Sequence, residues 1–111
     1  MIIPLDEFSK KGKLVKKDER YEVYDIEMEH LVASLTILFP GKTTTGHIHN
    51  NVEEVYYFSN GSGPILLNNK KLKVNREDII LIPKKTFHRV YNSGIEDLIF
   101  ISIFEKYEGR K

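Results

Sequence analysis

The sequence predicts an all-β protein, a sandwich or barrel of short strands in a single domain. Runs rich in Val, Ile, Phe and Tyr recur between Gly, Asn and Pro punctuation, at roughly the 8–12-residue spacing of small β-proteins. Several runs alternate side chains with the period of two that a half-buried strand requires. No stretch develops the i, i+3, i+4 stripe of an amphipathic helix.

Residues 1–18 join a short apolar start, Ile2, Ile3 and Leu5, to lysines around Gly12. This reads as an irregular or edge-strand arm. Over residues 20–28, Tyr21, Val23 and Asp25 share one face and Glu22, Tyr24, Ile26 and Met28 the other. Glu29-His30 forms a hairpin turn. Residues 31–39 are apolar on both faces, hence a central strand or one at an interface. Pro40-Gly41 turns the chain. Residues 54–59 make the next strand, closed by Asn60-Gly61-Ser62-Gly63. Residues 65–67 and 71–74 pair as a hairpin across Asn68-Asn69. Residues 79–82 form a short strand expected to be buried, and 87–91 another. The last strand, 97–106, sets Leu98, Phe100, Ser102 and Phe104 against Ile99, Ile101 and Ile103. Residues 1–30 are thus an arm and first strands, 31–106 the barrel, and 107–111 a tail of the same domain.

Composition narrows the function classes. The formal net charge is +1, so no strong field points to nucleic acid or an anionic membrane. The lysine cluster Lys10, Lys11, Lys13, Lys16 and Lys17 reads as a solvated face. Without cysteine there is no disulfide framework, thiol nucleophile or thiolate metal site. No apolar run approaches the ~20 residues of a membrane helix and no signal-peptide pattern opens the chain, so a cytoplasmic location is expected.

The chemistry concentrates in two stretches. GKTTTGHIHNNVEEVYYFSNG, from Gly41 to Gly61, carries His47 and His49 two apart, hence on one face if extended, followed by Glu53 and Glu54. IPKKTFHRVYN carries His88. Imidazole nitrogens with one carboxylate suit a borderline divalent metal, so these groups suggest one metal ion. Glu54 shares parity with Tyr56 and Phe58, a candidate cavity wall, whereas Glu53 faces outward. His30 lies in a turn and reads as a surface residue.

These stretches resemble the cupin family. The first motif, G-x5-H-x-H-x4-E-x6-G, is matched at Gly41, His47, His49, Glu54 and Gly61. The second, G-x5-P-x-G-x2-H-x3-N, is matched at Pro83, His88 and Asn92, with Glu77 and Lys85 where the family has glycine. The resemblance spans about residues 31–104. It implies a small single-domain cupin, a double-stranded β-helix or jelly-roll barrel. It also implies a metal held by His47, His49, Glu54 and His88, with iron or manganese favoured and zinc, nickel and copper as other fits.

By parity the pocket is expected to include Tyr56, Phe58, Val90, Phe100, Ser102 and Phe104. Few cations fall inside by this reading, and Arg89 has the wrong parity to join His88. An apolar pocket beside a metal with open positions favours a metalloenzyme oxidising a small organic substrate with dioxygen or peroxide. The family resemblance equally implies a sugar or sugar-phosphate isomerase or epimerase, or a non-catalytic small-molecule-binding module. The isomerase would require lysines or arginines inside the cavity. The isoleucine face of the last strand and the doubly apolar 31–39 run suggest a homodimer.

Overall fold

The computed structural model describes residues 1–107; of the expected tail, 108–111 lie outside the described residues. A short 3-10 turn, Leu5–Glu7, leads into one turn of helix α1, Phe8–Lys11. Nine strands follow: β1 (Lys13–Lys17), β2 (Tyr21–Glu27), β3 (Leu31–Leu38), β4 (Glu54–Asn60), β5 (Gly63–Leu67), β6 (Lys70–Val74), β7 (Ile79–Ile82), β8 (His88–Val90) and β9 (Leu98–Glu105). They form a six-stranded sheet in the order β1-β2-β3-β9-β4-β7 and a three-stranded sheet in the order β6-β5-β8. Every ladder is antiparallel. No helix among the described residues is long and apolar enough to cross a membrane.

The core lies between the sheets. Leu38, Phe58 and Leu98 from the large sheet meet Ile65, Val74 and Val90 from the small one. Each such fully buried side chain contributes roughly 1.5–3 kcal/mol. The parities read from sequence hold here: Tyr21, Val23 and Asp25 are buried on β2, and Leu98, Phe100, Ser102 and Phe104 on β9. β3 is central, between β2 and β9.

The edge-strand arm is borne out in β1, the outermost strand of the large sheet, and a helical turn precedes it. Pro4 precedes its first turn, Asp6 and Glu7 stand in that turn, and Lys10-Lys11 end α1, so charge complements the helix dipole. Strand 79–82 is buried on one face only: β7 is the edge of the large sheet, with Ile82 buried and Ile80 packed on the core, but Ile79 61% and Leu81 69% exposed. The His-x-His stretch is not a regular strand. It runs beside β8, pinned by the bridges Thr43↔Tyr91 and His47↔His88.

The outer face of the large sheet is apolar in register. One row crosses Tyr24, Leu35, Ile101, Tyr57 and Ile79; the next crosses Ile26, Ala33, Ile103, Val55 and Leu81. The N-terminal turn covers one end, where Leu5, Asp6 and Ser9 share a cavity with Ile37 and Ile99.

Candidate metal centre

Three side-chain atoms converge at one mouth of the barrel. Glu54 opens β4 on its inward side, and His88 opens β8. His49 comes from the stretch that runs beside β8, and its carbonyl accepts from Lys85 N–H. His49 Nε2 lies 3.1 Å and His88 Nε2 3.2 Å from Glu54 Oε1. All three ligand atoms lie within 4.8 Å of one another. Glu53 is exposed and Glu54 is buried, so Glu54 is the carboxylate that faces the histidines. His30 is exposed beside Glu29, away from this cluster.

The donor set fits a cation. Glu54 Oε2 accepts from Ser102 Oγ at 2.9 Å, whereas the buried Oε1 has no hydrogen bond of good geometry. His88 Nδ1 lies 3.2 Å from the Thr86 carbonyl, which can only accept. That contact puts the proton on Nδ1 and turns a lone pair of Nε2 towards Glu54. Read instead as a hydrogen bond, the His88 contact needs a second N–H on a ring whose Nδ1 proton already faces the Thr86 carbonyl. Either way the point between the three atoms asks for positive charge. Burial alone would push the Glu54 carboxyl up, but the close imidazoles of His49 and His88 and the Ser102 hydroxyl outweigh it and hold it well below the usual carboxylate range.

His47 shares the cavity but stands outside the tight cluster. Its ring stacks at 5.8 Å on that of His49 and lies 6.1 Å from that of His88. Burial, and then the neighbouring His88 and His49, push its pKa below the ordinary 6.5. Tyr107 lies over His49 at 5.0 Å.

The cavity has a volume of about 390 Å³ and is more polar than the parity reading suggests. Tyr56, Phe100 and Ser102 stand on its wall. Phe58 and Val90 sit beneath, in the packed core, and Phe104 is buried against Tyr107. The wall also carries Lys16, Tyr21, Ser34, Thr36, Thr44 and Thr45. The expectation of a cavity without cations is therefore corrected at Lys16. The cause is a β-bulge between Leu14 and Lys16, which shifts the register so that Lys16 opposes inward-facing Val23. Lys16 Nζ lies 5.3 Å over the ring of Tyr21, whose hydroxyl contacts Thr45 Oγ1 at 3.3 Å. Arg89 is turned away, donating to the Thr44 carbonyl and Thr43 Oγ1.

The remaining motif positions are structural. Asn92 is buried and donates to the carbonyls of Leu38 and Glu96, fixing the turn after β8. Glu77 and Lys85 keep the left-handed backbone of the glycines they replace, at φ 73° and 63°.

Comparison with known proteins agrees with this geometry. The cupin domain family matches residues 34–104. The glucose-6-phosphate isomerase of Pyrococcus abyssi is 35% identical, covering 83% of this chain and 59% of its own length. That of Thermococcus onnurineus is also 35% identical, covering 76% and 53%. The chain thus spans little more than half the length of these relatives. A Thermotoga maritima structure described as a predicted oxalate decarboxylase superposes with a TM-score of 0.80 at 18% identity, covering 96% of this chain and all of that one. A putative sugar phosphate isomerase from Acidithiobacillus ferrooxidans gives 0.78 at 23%, covering 96% and 76%. At these identities the two structures speak for the fold alone. The antiparallel barrel, the two motifs and the family match over most of the chain lead to one conclusion: this protein belongs to the cupin family.

Proposed function

We propose that the protein is a metal-dependent isomerase acting on a small sugar phosphate, with the metal held by His47, His49, Glu54 and His88. The observation that carries this reading is Lys16 in the same cavity as the carboxylate–histidine cluster. It stands among the hydroxyls of Tyr21, Thr36, Thr44 and Thr45, which are suited to a phosphate at one end of a substrate. Lys16 supports the cation that the isomerase reading requires, and the hydroxyls beside it make the wall less apolar than the oxidation reading assumes. The relatives named glucose-6-phosphate isomerase point the same way.

A bound divalent metal would supply Lewis-acid polarisation of a substrate carbonyl or hydroxyl. The chain's own residues do the rest. Lys16 and the hydroxyl wall bind and orient the anionic end. Tyr56 and Phe100, stacked at 4.6 Å, form an aromatic wall that limits water on one side. The lowered pKa values of Glu54 and His47 keep both unprotonated near neutral pH, as metal ligands must be.

The test is interconversion of aldose and ketose phosphates by protein loaded separately with manganese, iron and zinc. Turnover with zinc as well as manganese, without consumption of oxygen or peroxide, is the expected result. Oxygen or peroxide consumption over an aromatic substrate panel, with no sugar phosphate turned over, would restore the oxidation. Tight ligand binding without turnover would favour a binding module.

A further inference from the structure

Ser102 is out of character with its strand. The inward face of β9 is otherwise Leu98, Phe100 and Phe104. A hydroxyl buried there is unfavourable unless hydrogen-bonded, and its recorded partner is Glu54 Oε2 at 2.9 Å. A carboxylate oxygen only accepts, so the single Ser102 proton is committed to Glu54. Ser102 pairs in register with Tyr56, which makes Glu54 its diagonal neighbour across the β4–β9 ladder. That separation suits a long side chain reaching along the sheet. The bond decides which carboxylate oxygen faces the histidines: Oε2 is taken, and Oε1 points at His49 and His88.

A polar row backs this bond. Ser102 is in register with Ser34 on β3, and Ser34 with Asp25 on β2. All three are buried on the inward face. Ser34 stands on the wall of the metal cavity, and Asp25 on the wall of a second cavity beside it, of about 640 Å³. In-register neighbours on one face of a sheet lie close enough to act on each other's rotamers.

We propose that Ser102 is a positioning residue that restricts Glu54 to a single-oxygen ligand of the metal, with Ser34 and Asp25 as the polar row behind it. The inference rests on the metal reading given above. Without the hydroxyl, Oε2 is released and the carboxylate can turn both oxygens to the metal or swing away from it.

The experiment compares the wild type with Ser102→Ala, Ser102→Thr and Ser34→Ala. It measures Co(II) and Mn(II) affinity by chelator competition, the visible spectrum of the Co(II) form, and thermal unfolding of the metal-free protein. Ser102→Ala is expected to bind Co(II) about 10–100-fold more weakly, the usual effect of losing a partner that orients a ligand, with a shifted Co(II) spectrum. Ser102→Thr, which keeps the hydroxyl, should recover both, and Ser34→Ala should fall between. If the alanine variant does not fold, Ser102→Val, which matches the threonine variant in shape without its hydroxyl, is expected to show the same loss. Wild-type affinity and spectrum in Ser102→Ala would overturn the proposal. So would equal impairment of the folded alanine and threonine variants, which would make the effect one of volume. Wild-type affinity in Ser34→Ala would overturn the role of the row. A wild-type protein that binds neither ion would instead refute the metal reading, a result distinguishable because it does not depend on Ser102.

Discussion

His47 and His88 exchange both backbone hydrogen bonds: His47 N–H donates to the His88 carbonyl at 3.1 Å, and His88 N–H to the His47 carbonyl at 2.9 Å. Directly paired residues put their side chains on one face. With the Thr43–Tyr91 bridge, this pair joins the first motif to the second and sets their imidazoles in the same cavity.

The first prediction concerns the metal. Wild-type protein should bind one divalent ion per chain, and His49→Ala should abolish stoichiometric binding at neutral pH. Affinity should fall as pH is lowered, because protons compete with the metal for its histidine ligands. Elemental analysis after gel filtration checks both, and full occupancy in His49→Ala would refute the assignment.

Removing the metal should leave the fold intact, because the core between the sheets contains none of the three converging side chains. Metal should raise the melting temperature by binding the native state alone. Chelation that unfolds the protein, seen by circular dichroism, would recast the centre as structural.

The metal-free protein should lose stability on the acid side. His47 has a folded-state pKa below its ordinary 6.5, so its contribution is full above that value and is lost as pH falls through the folded one. Glu54 is likewise depressed from 4.5, so its contribution is lost at lower pH still. Denaturant titrations should therefore show a decline beginning near pH 6.5 and continuing below 4.5. Constant stability from pH 7 to pH 4 would contradict this.

Glu77→Gly and Lys85→Gly should each stabilise the fold. Left-handed backbone costs a non-glycine residue about 1–2 kcal/mol, partly offset by the greater freedom glycine gives the unfolded chain. The net gain should be about 0.5 kcal/mol per site, measurable as a higher denaturant midpoint at unchanged slope. Alanine at either position should bring no such gain, since it keeps the Cβ that creates the cost.

We propose that the outer face of the large sheet pairs with a second copy of the chain. Its exposed apolar part is Ile103, Val55, Tyr57, Ile79 and Leu81 on β9, β4 and β7, a width of roughly 10 Å at strand spacings of about 4.8 Å. A largely uncharged apolar patch of this extent exceeds the scattered apolar residues of an ordinary monomer surface, and sets no like charges against each other about a two-fold axis. Sedimentation should give a dimer, and Val55→Lys with Leu81→Lys a folded monomer. A monomeric wild type at micromolar concentration would refute it.

Local chemistry determined much of this protein. Alternation along β2 and β9 separated buried from exposed side chains because a strand allows only two directions. The His-x-His pair and the spaced Glu54 and His88 were legible because a small donor set with fixed spacing has few other uses. Asn68-Asn69 marked its hairpin because asparagine tolerates the left-handed backbone that Asn68 adopts at φ 53°. Tertiary structure decided the rest. Whether residues 79–82 were core or edge depended on strand order, which no run of four apolar residues encodes. Lys16 was unreadable for a sharper reason. In an unbroken ladder it would oppose Glu22 and face outward, and one bulged residue reverses that, placing a lysine in the cavity. Ser102 was legible as a pocket residue but its partner was not, and Ser34 read only as a small residue in an apolar strand. Register across the sheet, a long-range property, joins them to each other and brings Ser102 to Glu54.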